Sequence, residues 1–216
     1  MLVEIYSDVV CPWCYIGERR FGKALGSFTG ADDVEVVFRP FQLDPDAPST
    51  PSPLLDSLRS KFGPGARAMT ERVTDAGAGE GIQFRWEDAI AVNTLTAHRL
   101  LRLAEQEYGT SVQRALAERL FEAHFTLGAN IADPGLLTTL AVAVGMDRER
   151  VERYLSSDEG LAETLDALRH ARELGITAVP SFVFDGQYLV EGGQPAETFV
   201  AVLNEVAERA AQEGAA

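Results

Sequence analysis

The order of apolar and polar positions predicts strands and a helix near the start of the chain. "LVEIYS" alternates apolar and polar residues and contains β-branched side chains, which is typical of a short half-buried strand. The stretch from Cys11 to Phe28 has helical spacing, with Ile16 and Phe21 on its apolar face. "DVEVVFRPFQL" predicts a second strand. The chain therefore opens in the order strand, helix, strand.

A long helical block follows the second strand. The proline-rich "DPDAPSTPSP" can continue neither a helix nor a sheet. From about Leu54 to Leu174 the apolar spacing is helical, with no convincing strand. Gly109 is a typical helix stop, and Asp133 followed by Pro134 is a typical helix start. We therefore expect several helices separated by short turns.

Strands return only near the end of the chain. "AVPSFVFDGQYLV" predicts two short strands joined by a tight turn, and "QPAETFVAVLNEVAERAA" predicts a closing helix. This order is typical of an α/β, thioredoxin-like fold with a large all-helical insertion, in which the terminal segments share one sheet. We expect residues 1–50 and 175–216 to form a discontinuous thioredoxin-like domain. Residues 51–174 should form the helical insertion domain.

Composition narrows the expected partners and location. The 216 residues carry a formal net charge of −14, which repels the phosphate backbone of nucleic acids and the surface of anionic membranes. The first residues lack the basic and apolar regions of a secretory signal, and no apolar run approaches the roughly 20 residues that cross a bilayer. We therefore expect a cytoplasmic protein whose partners include neither nucleic acid nor a membrane.

Both cysteines of the chain, Cys11 and Cys14, stand at the predicted start of the first helix. A disulfide framework needs several bridges, and a bridge across four residues closes too short a loop to add much stability. Structural zinc needs four ligands, whereas His98, His124 and His170 lie far apart in the sequence. We expect no metal; histidines that converge in space, or two ordinary buried cysteines, are the alternatives.

Thiol–disulfide exchange explains why two cysteines would stand two residues apart at the start of a helix. A thiolate is the attacking species, and a helix N-terminus stabilises negative charge, so Cys11 is the predicted nucleophile. Cys14 follows one turn later and is expected to be more buried. It can wait as a thiol and then resolve the mixed disulfide formed at Cys11. The reverse sequence of steps oxidises a dithiol substrate.

Four further residues are candidates for substrate binding. Pro12 stiffens the first helical turn and Trp13 offers an apolar platform, although a helix-starting proline and a packed surface aromatic are the simpler alternatives. Pro180 opens a predicted strand, where it removes a ladder hydrogen bond. This favours a cis bond between Val179 and Pro180, which leaves a backbone edge free for an extended substrate.

Several stretches of the chain resemble one protein family. They are "YSDVVCPWCYIG", "RPFQLDP", "NTLTAHRL", "LGANIADP", "GITAVPSFVF" and "EGGQP". The chain resembles the DsbA-like thioredoxin superfamily and, within it, the FrnE-type bacterial oxidoreductases. The resemblance implies a thioredoxin fold with an inserted helical domain. It also implies Cys11 as nucleophile, Cys14 as resolving thiol and Pro180 as the cis-proline that faces them.

The same branch of the superfamily contains glutathione-dependent enzymes, namely kappa-class glutathione transferases and hydroxychromene carboxylate isomerases. Those enzymes typically carry serine at the position of Cys11 and a Ser-Asp or Asn-Asp pair where this chain has "EGGQP". Thiol–disulfide exchange is therefore favoured over glutathione-dependent isomerisation or transfer. Protein or small-molecule thiols and disulfides are the expected substrates. We expect no bound cofactor, with glutathione or another thiol as a redox co-substrate.

The helical insertion allows a non-catalytic alternative. It could bind a protein client, with the two cysteines acting as a redox switch, and it could also support a homodimer. The direction of exchange stays open as well. Reduction potentials of thioredoxin-like folds span roughly −270 to −120 mV, on both sides of a cytosolic glutathione poise of about −220 mV.

Two histidines are candidate accessory residues. His98 and His124 each lie beside or on an apolar helical stripe, so the simpler interpretation is a partly buried ring hydrogen-bonded to backbone. If the insertion covers the site, either ring could approach Cys11 and stabilise its thiolate.

Overall fold

The computed structural model describes residues 1–48 and 50–213. Ser49 and residues 214–216, which the sequence assigns to the thioredoxin-like domain, lie outside the described residues. The strands are β1 (Leu2–Ser7), β2 (Glu35–Pro40), β3 (Ser52–Pro53), β4 (Ile90–Ala91), β5 (Ser181–Phe184) and β6 (Tyr188–Glu191). The helices are α1 (Pro12–Ser27), α2 (Leu54–Phe62), α3 (Gly65–Ala78), α4 (Leu95–Tyr108), α5 (Thr110–Phe125), α6 (Pro134–Ala143), α7 (Arg148–Leu155), α8 (Leu161–Glu173) and α9 (Ala196–Glu213).

Both ends of the chain contribute to one sheet, as the sequence predicts. The strand order is β2-β1-β5-β6, with β1 parallel to β2 and antiparallel to β5. Val3 of the central strand lies opposite Val36 on one side and Phe184 on the other. Helix α1 connects the two parallel strands, so the predicted α/β thioredoxin-like fold with a helical insertion is confirmed.

The long middle segment departs from the sequence prediction at one point. Ser52 and Pro53 pair with Ala91 and Ile90, so a two-residue β-bridge links the two sides of α2 and α3. The expectation of no strand from about Leu54 to Leu174 is wrong at β4, and β3 lies in the proline-rich stretch that was expected to continue neither a helix nor a sheet. A pair this short has no alternating pattern to detect, and its hydrogen bonds join loops almost 40 residues apart.

Two aromatic clusters form much of the core. The first packs α1 and α9 onto the sheet, with Phe21 and Phe199 each against Phe182 at ring distances of 5.4 and 4.5 Å. The second joins α1 to the helical segment, because Tyr15 stacks on Phe121 at 5.2 Å. The helical segment and the sheet therefore share packed surface. The domain boundaries themselves remain a sequence prediction.

The outer edge of β2 is closed by one side chain. Gln113 of α5 is buried; its Oε1 accepts a hydrogen bond from the Phe38 N–H and its Nε2 donates to the Phe38 carbonyl, both at 2.9 Å. The amide thus replaces the pairing that another strand would supply. Within residues 1–48 and 50–213, no helix is long and apolar enough to cross a bilayer.

Candidate active site around the two cysteines

The two thiols lie at the N-terminus of α1. Cys11 is the residue that precedes the helix, its N–H donates to the Asp8 carbonyl at 2.9 Å, and its own carbonyl accepts from the Cys14 N–H at 3.0 Å. Both cysteines are free thiols, and both are buried, with exposures of 4% for Cys11 and 2% for Cys14. The predicted position of Cys11 at a helix start is confirmed. The expected contrast in burial between the two thiols is small.

The turn before β5 brings a second backbone segment to Cys11. The Val179–Pro180 peptide bond is cis, as the sequence favours, and the Cys11 thiol donates to the Val179 carbonyl at 3.5 Å. Gly17 makes this approach possible, because a Cβ there would lie 3.1 Å from Pro180 Cγ and 3.3 Å from Gly193 Cα. The chain from both ends of the sequence therefore meets at Cys11.

Burial controls the ionisation of the second thiol. It raises the pKa of Cys14 well above its ordinary value, and the neighbouring Cys11 raises it further. The Ser7 hydroxyl and the Asp8 backbone N–H lower the pKa of Cys14 by a smaller amount. Cys14 is therefore a protonated thiol at neutral pH, which suits a group that waits before it reacts.

His98 binds a buried carboxylate, whereas the simpler sequence interpretation was a partly buried ring hydrogen-bonded to backbone. Its Nε2 lies 3.3 Å from Oδ1 of Asp8, and the two side chains are almost completely buried. The second carboxylate oxygen of Asp8 accepts a hydrogen bond from the Leu43 N–H at 2.8 Å. The partner of His98 is thus a side chain that comes from the loop before Cys11, and backbone plays no part in this contact.

His124 also differs from the expected partly buried ring. It is completely buried, and neither ring nitrogen has a hydrogen-bond partner within the part of the chain that the structure describes. Its ring packs edge-on against Phe125, with centroids 4.4 Å apart. Burial lowers the pKa of His124 to about 4, and the charge of Asp8 opposes that shift. His124 is therefore neutral at pH 7.

A groove of about 960 Å³ opens beside Cys11. Pro12, Trp13 and Val179 line it, and Trp13 is 37% exposed. The other apolar side chains that line it are Val10, Leu43, Ala47, Leu54, Leu58, Phe62, Met69, Val73, Trp86, Ala91, Val92 and Phe125. All four residues that the sequence proposes for substrate binding therefore lie close to Cys11, since Pro180 follows Val179.

Sequence reasoning missed Asp8 as a site residue. Asp8 lies only three residues before Cys11, so its closeness to the thiols could have been found from the sequence. The contact with His98 spans 90 residues and has no local pattern. Among the described residues, no group of three or more His, Cys, Asp and Glu side chains is arranged to hold a metal ion.

Comparison with known proteins gives relatives over nearly the full length. A Bacillus subtilis protein of uncharacterised role, YwbO, is 28% identical over 209 residues, covering 94% of this chain and 96% of its own. A probable DsbA oxidoreductase from Streptomyces coelicolor is 38% identical, with a TM-score of 0.85, and the match covers 95% of this chain and 89% of that one.

A third comparison shows the fold at lower identity. The cytosolic disulfide reductase DsbM from Pseudomonas aeruginosa, whose structure is also known with GSH, is 21% identical with a TM-score of 0.67. The match covers 96% of this chain and 99% of that protein. The model of the DSBA-like thioredoxin domain family matches residues 2–204. With this match and the Streptomyces coelicolor relative, the chain belongs to the family of DSBA-like thioredoxin domains.

Proposed function

We propose that this protein is a thiol–disulfide oxidoreductase with Cys11 as nucleophile and Cys14 as resolving thiol. One observation carries the proposal. Cys11 stands at a helix N-terminus, one turn from a buried thiol, and its sulfur contacts the carbonyl that precedes a cis-proline. Membership in a family with a probable DsbA oxidoreductase supports the same chemistry.

The reaction begins at Cys11. Its thiolate attacks one sulfur of a substrate disulfide, a mixed disulfide forms, and the other substrate sulfur leaves as a thiolate. The unpaired N–H groups of the first helical turn favour the negative charge on the Cys11 sulfur. Cys14 then attacks the Cys11 sulfur, which releases the reduced substrate and leaves a Cys11–Cys14 disulfide. The reverse sequence oxidises a substrate dithiol.

The groove suggests how a substrate is held. Its walls are mostly apolar and include Cys11, so an apolar segment beside the reacting disulfide would be buried there. Trp13 and Pro12 would contact that segment. The backbone at Val179 could pair with an extended peptide in the manner of a strand. Proteins or peptides with apolar residues near a cysteine are therefore the substrates that we propose.

The charges of the groove favour glutathione as a transient co-substrate and disfavour it as a bound cofactor. Its two carboxylates would need cations, and Lys61 is the one cation among the described groove-lining residues. Lys61 Nζ already lies 3.8 Å from Asp44 Oδ2. We therefore propose that glutathione or another thiol restores the redox state of Cys11 and Cys14 without residing in the site. The cytoplasm is the proposed location.

The first experiment measures the redox potential of the cysteine pair. The protein is equilibrated in glutathione buffers, its free thiols are counted, and zinc is measured on the same sample. We expect a reversible two-electron transition and no stoichiometric zinc. A midpoint below about −220 mV would favour oxidation of the pair by substrates, and a midpoint near −120 mV would favour oxidation of substrates by the pair. Thiols that never form an internal disulfide would reject the proposal.

Trapping tests the separate roles of the thiols. Cys14→Ala removes the resolving thiol, so mixed disulfides with a model peptide disulfide should accumulate on Cys11. Cys11→Ala, the matched control, should trap none because Cys14 is buried and protonated. Mass spectrometry of intact protein distinguishes the two variants. The proposed roles would be wrong if the Cys14→Ala protein formed no adduct under conditions where the unaltered protein turns over.

A further inference from the structure

The strand β6 leaves one edge of the sheet open. It lies at the end of the strand order β2-β1-β5-β6, and among the described residues β5 is the one strand that pairs with it. The opposite edge differs, because Gln113 bonds both backbone groups of Phe38 in β2. Unpaired backbone groups on an edge strand are a template for another strand.

The pairing of β5 with β6 shows which backbone groups face outwards. Phe182 lies opposite Val190, and the N–H of Gly192 donates to the carbonyl of Pro180 at 2.7 Å. Bonded and non-bonded pairs alternate along antiparallel strands, so Val190 bonds to β5 and the N–H and carbonyl of Leu189 point away from it. In the described part of the chain, no turn, cap or side chain bonds these two groups.

The Leu189 side chain is also without a partner. It is 52% exposed, and on β5 it lies beside Val183, which is itself only partly buried. Two residues later, the carbonyl of Glu191 accepts a hydrogen bond from Gln194 Nε2 at 2.8 Å. The open stretch of the edge is therefore short and is centred on Leu189.

The sequence of β6 is complementary to itself about this centre. Antiparallel pairing with a second copy around Leu189 puts the two Leu189 residues opposite each other as a bonded pair, with Cα atoms roughly 5.5 Å apart. The same register puts Glu191 opposite Gln187 of the second copy, where a side-chain amide can donate to a carboxylate. Tyr188 lies opposite Val190. No like charges face each other, and a two-fold axis repeats every contact.

We propose that β6 pairs with β6 of a second copy around Leu189 and joins the two four-stranded sheets into one. The interface lies in the sheet, whereas the sequence suggested the helical insertion as the site of a homodimer. The inference does not depend on the chemistry of Cys11, so it stands apart from the proposed function.

Charge limits the strength of this dimer. Each chain carries a net charge of −14, which repels a second copy at long range. Close to the edge the charge is better balanced, because Arg209 of α9 lies 5.2 Å from the Tyr188 ring and pairs with Glu205 at 2.6 Å. We therefore expect a weak dimer, with a dissociation constant of about 10–100 μM, that tightens when salt screens the net charge.

Sedimentation velocity tests the dimer. The protein is measured from about 1 to 300 μM, at about 0.05 and 0.5 M salt, and the dimer fraction should rise with both variables. Leu189→Lys puts two like charges directly opposite each other across the two-fold axis, so association should weaken at least tenfold. Leu127→Lys is the matched control, because it adds the same charge at a leucine that is 62% exposed and lies outside β6.

Amide hydrogen exchange of the unaltered protein tests the pairing without a variant. The N–H groups of Leu189 and Glu191 face outwards, so their exchange should slow as the protein concentration rises. The Val190 N–H already bonds to β5 and should exchange at the same rate at every concentration. This readout decides the question if Leu189→Lys loses its fold, which circular dichroism would show.

Two results would overturn the inference. One is a monomer at every concentration and at both salt levels. The other is a dimer that Leu189→Lys leaves intact, with unchanged exchange at the Leu189 amide, since the copies would then meet through another surface. Disulfide turnover by Leu189→Lys should equal that of the unaltered protein. A failure of turnover in the unaltered protein would instead count against the proposed function.

Discussion

Asp8 holds three parts of the site together. Its backbone carbonyl accepts the Cys11 N–H, one carboxylate oxygen accepts the Leu43 N–H, and the other faces His98. A buried carboxylate that loses one of these partners pays a desolvation cost, so each contact supports the others. The loop before Cys11 is therefore fixed by contacts with the segment after β2 and with α4, and Cys11 is positioned through it.

His124 makes the stability of the protein depend on pH. The ring has a pKa of 6.5 in the unfolded chain and about 4 when buried. Between these values the unfolded chain binds more protons, so the free energy of unfolding decreases as the pH falls from 6.5 towards 4. The loss amounts to about 3 kcal/mol, at 1.4 kcal/mol per pKa unit.

The variant His124→Leu removes the titrating ring and its two unpartnered nitrogens. We expect the difference in unfolding free energy between this variant and the unaltered protein to grow by about 3 kcal/mol from pH 7 to pH 4, in favour of the variant. Urea denaturation at both pH values measures it, with the exposed His170→Leu as the matched control. A difference that does not change with pH would contradict the assignment.

At the scale of single residues, features formed by residues close together in the chain could be predicted from the sequence, and contacts between distant residues could not. Cys11 and Cys14 share one helical turn, and a proline before a strand is a local signal, so the placement of the thiols and of the cis bond could be predicted. The Asp8–His98 contact could not, because no periodicity relates residues 90 positions apart. The same holds for the unpartnered nitrogens of His124, which depend on what surrounds the ring.

Among the secondary-structure elements, β2 shows how an edge strand is protected. The amide of Gln113 occupies both backbone groups of Phe38, so a neighbouring chain cannot pair at that point. A glutamine on an amphipathic helix gives no hint of this role in the sequence. Burial of the side chain identifies it, because an exposed amide would bond to water.

We expect Gln113→Leu to destabilise the protein by about 2–4 kcal/mol, since it leaves a buried N–H and a buried carbonyl without partners. The Phe38 amide should also exchange its hydrogen faster. Urea denaturation and hydrogen exchange measure the two effects. Gln106→Leu, at an exposed position of α4, is the control and should change stability little. An unchanged Phe38 exchange rate would show that the amide does not close the edge.

Element boundaries were predictable wherever glycine or proline marks them. Asp133 accepts the Leu136 N–H as the predicted N-cap of α6, and Gly109 ends α4 with φ of 90°. The turn between β5 and β6 likewise follows the expected pattern, with positive φ at Asp185 and Gly186. The bridge between β3 and β4 was not predictable, because two paired residues leave no pattern.

On the scale of the whole molecule, the helical segment and the sheet should unfold together. Tyr15 of α1 stacks on Phe121 of α5, and Arg20 and Lys23 of α1 both bind Glu80 after α3, at 2.7 and 2.6 Å. These contacts cross the boundary that the sequence proposes between two domains. If either part unfolded, these contacts would break and buried surface of the other part would be exposed. This favours a single cooperative unfolding transition.

The two tryptophans test this cooperativity. Trp13 reports on α1 and Trp86 on the helical segment, so Trp86→Phe and Trp13→Phe each leave one reporter. In each variant we expect the fluorescence midpoint in urea to coincide with the midpoint from far-UV circular dichroism. Fluorescence midpoints that separate from circular dichroism in opposite directions would show that the two parts unfold independently.

The central strand has a consequence for how the protein is made. β1 is synthesised well before its partner β5, and Cys11 well before the carbonyl of Val179 that contacts it, which lies 168 residues later. While the ribosome is still adding the helical segment, β1 has only β2 beside it, and the two thiols stand without their enclosing turn. The nascent chain therefore carries Cys11 and Cys14 without the turn that covers Cys11 until Val179 and Pro180 have been synthesised.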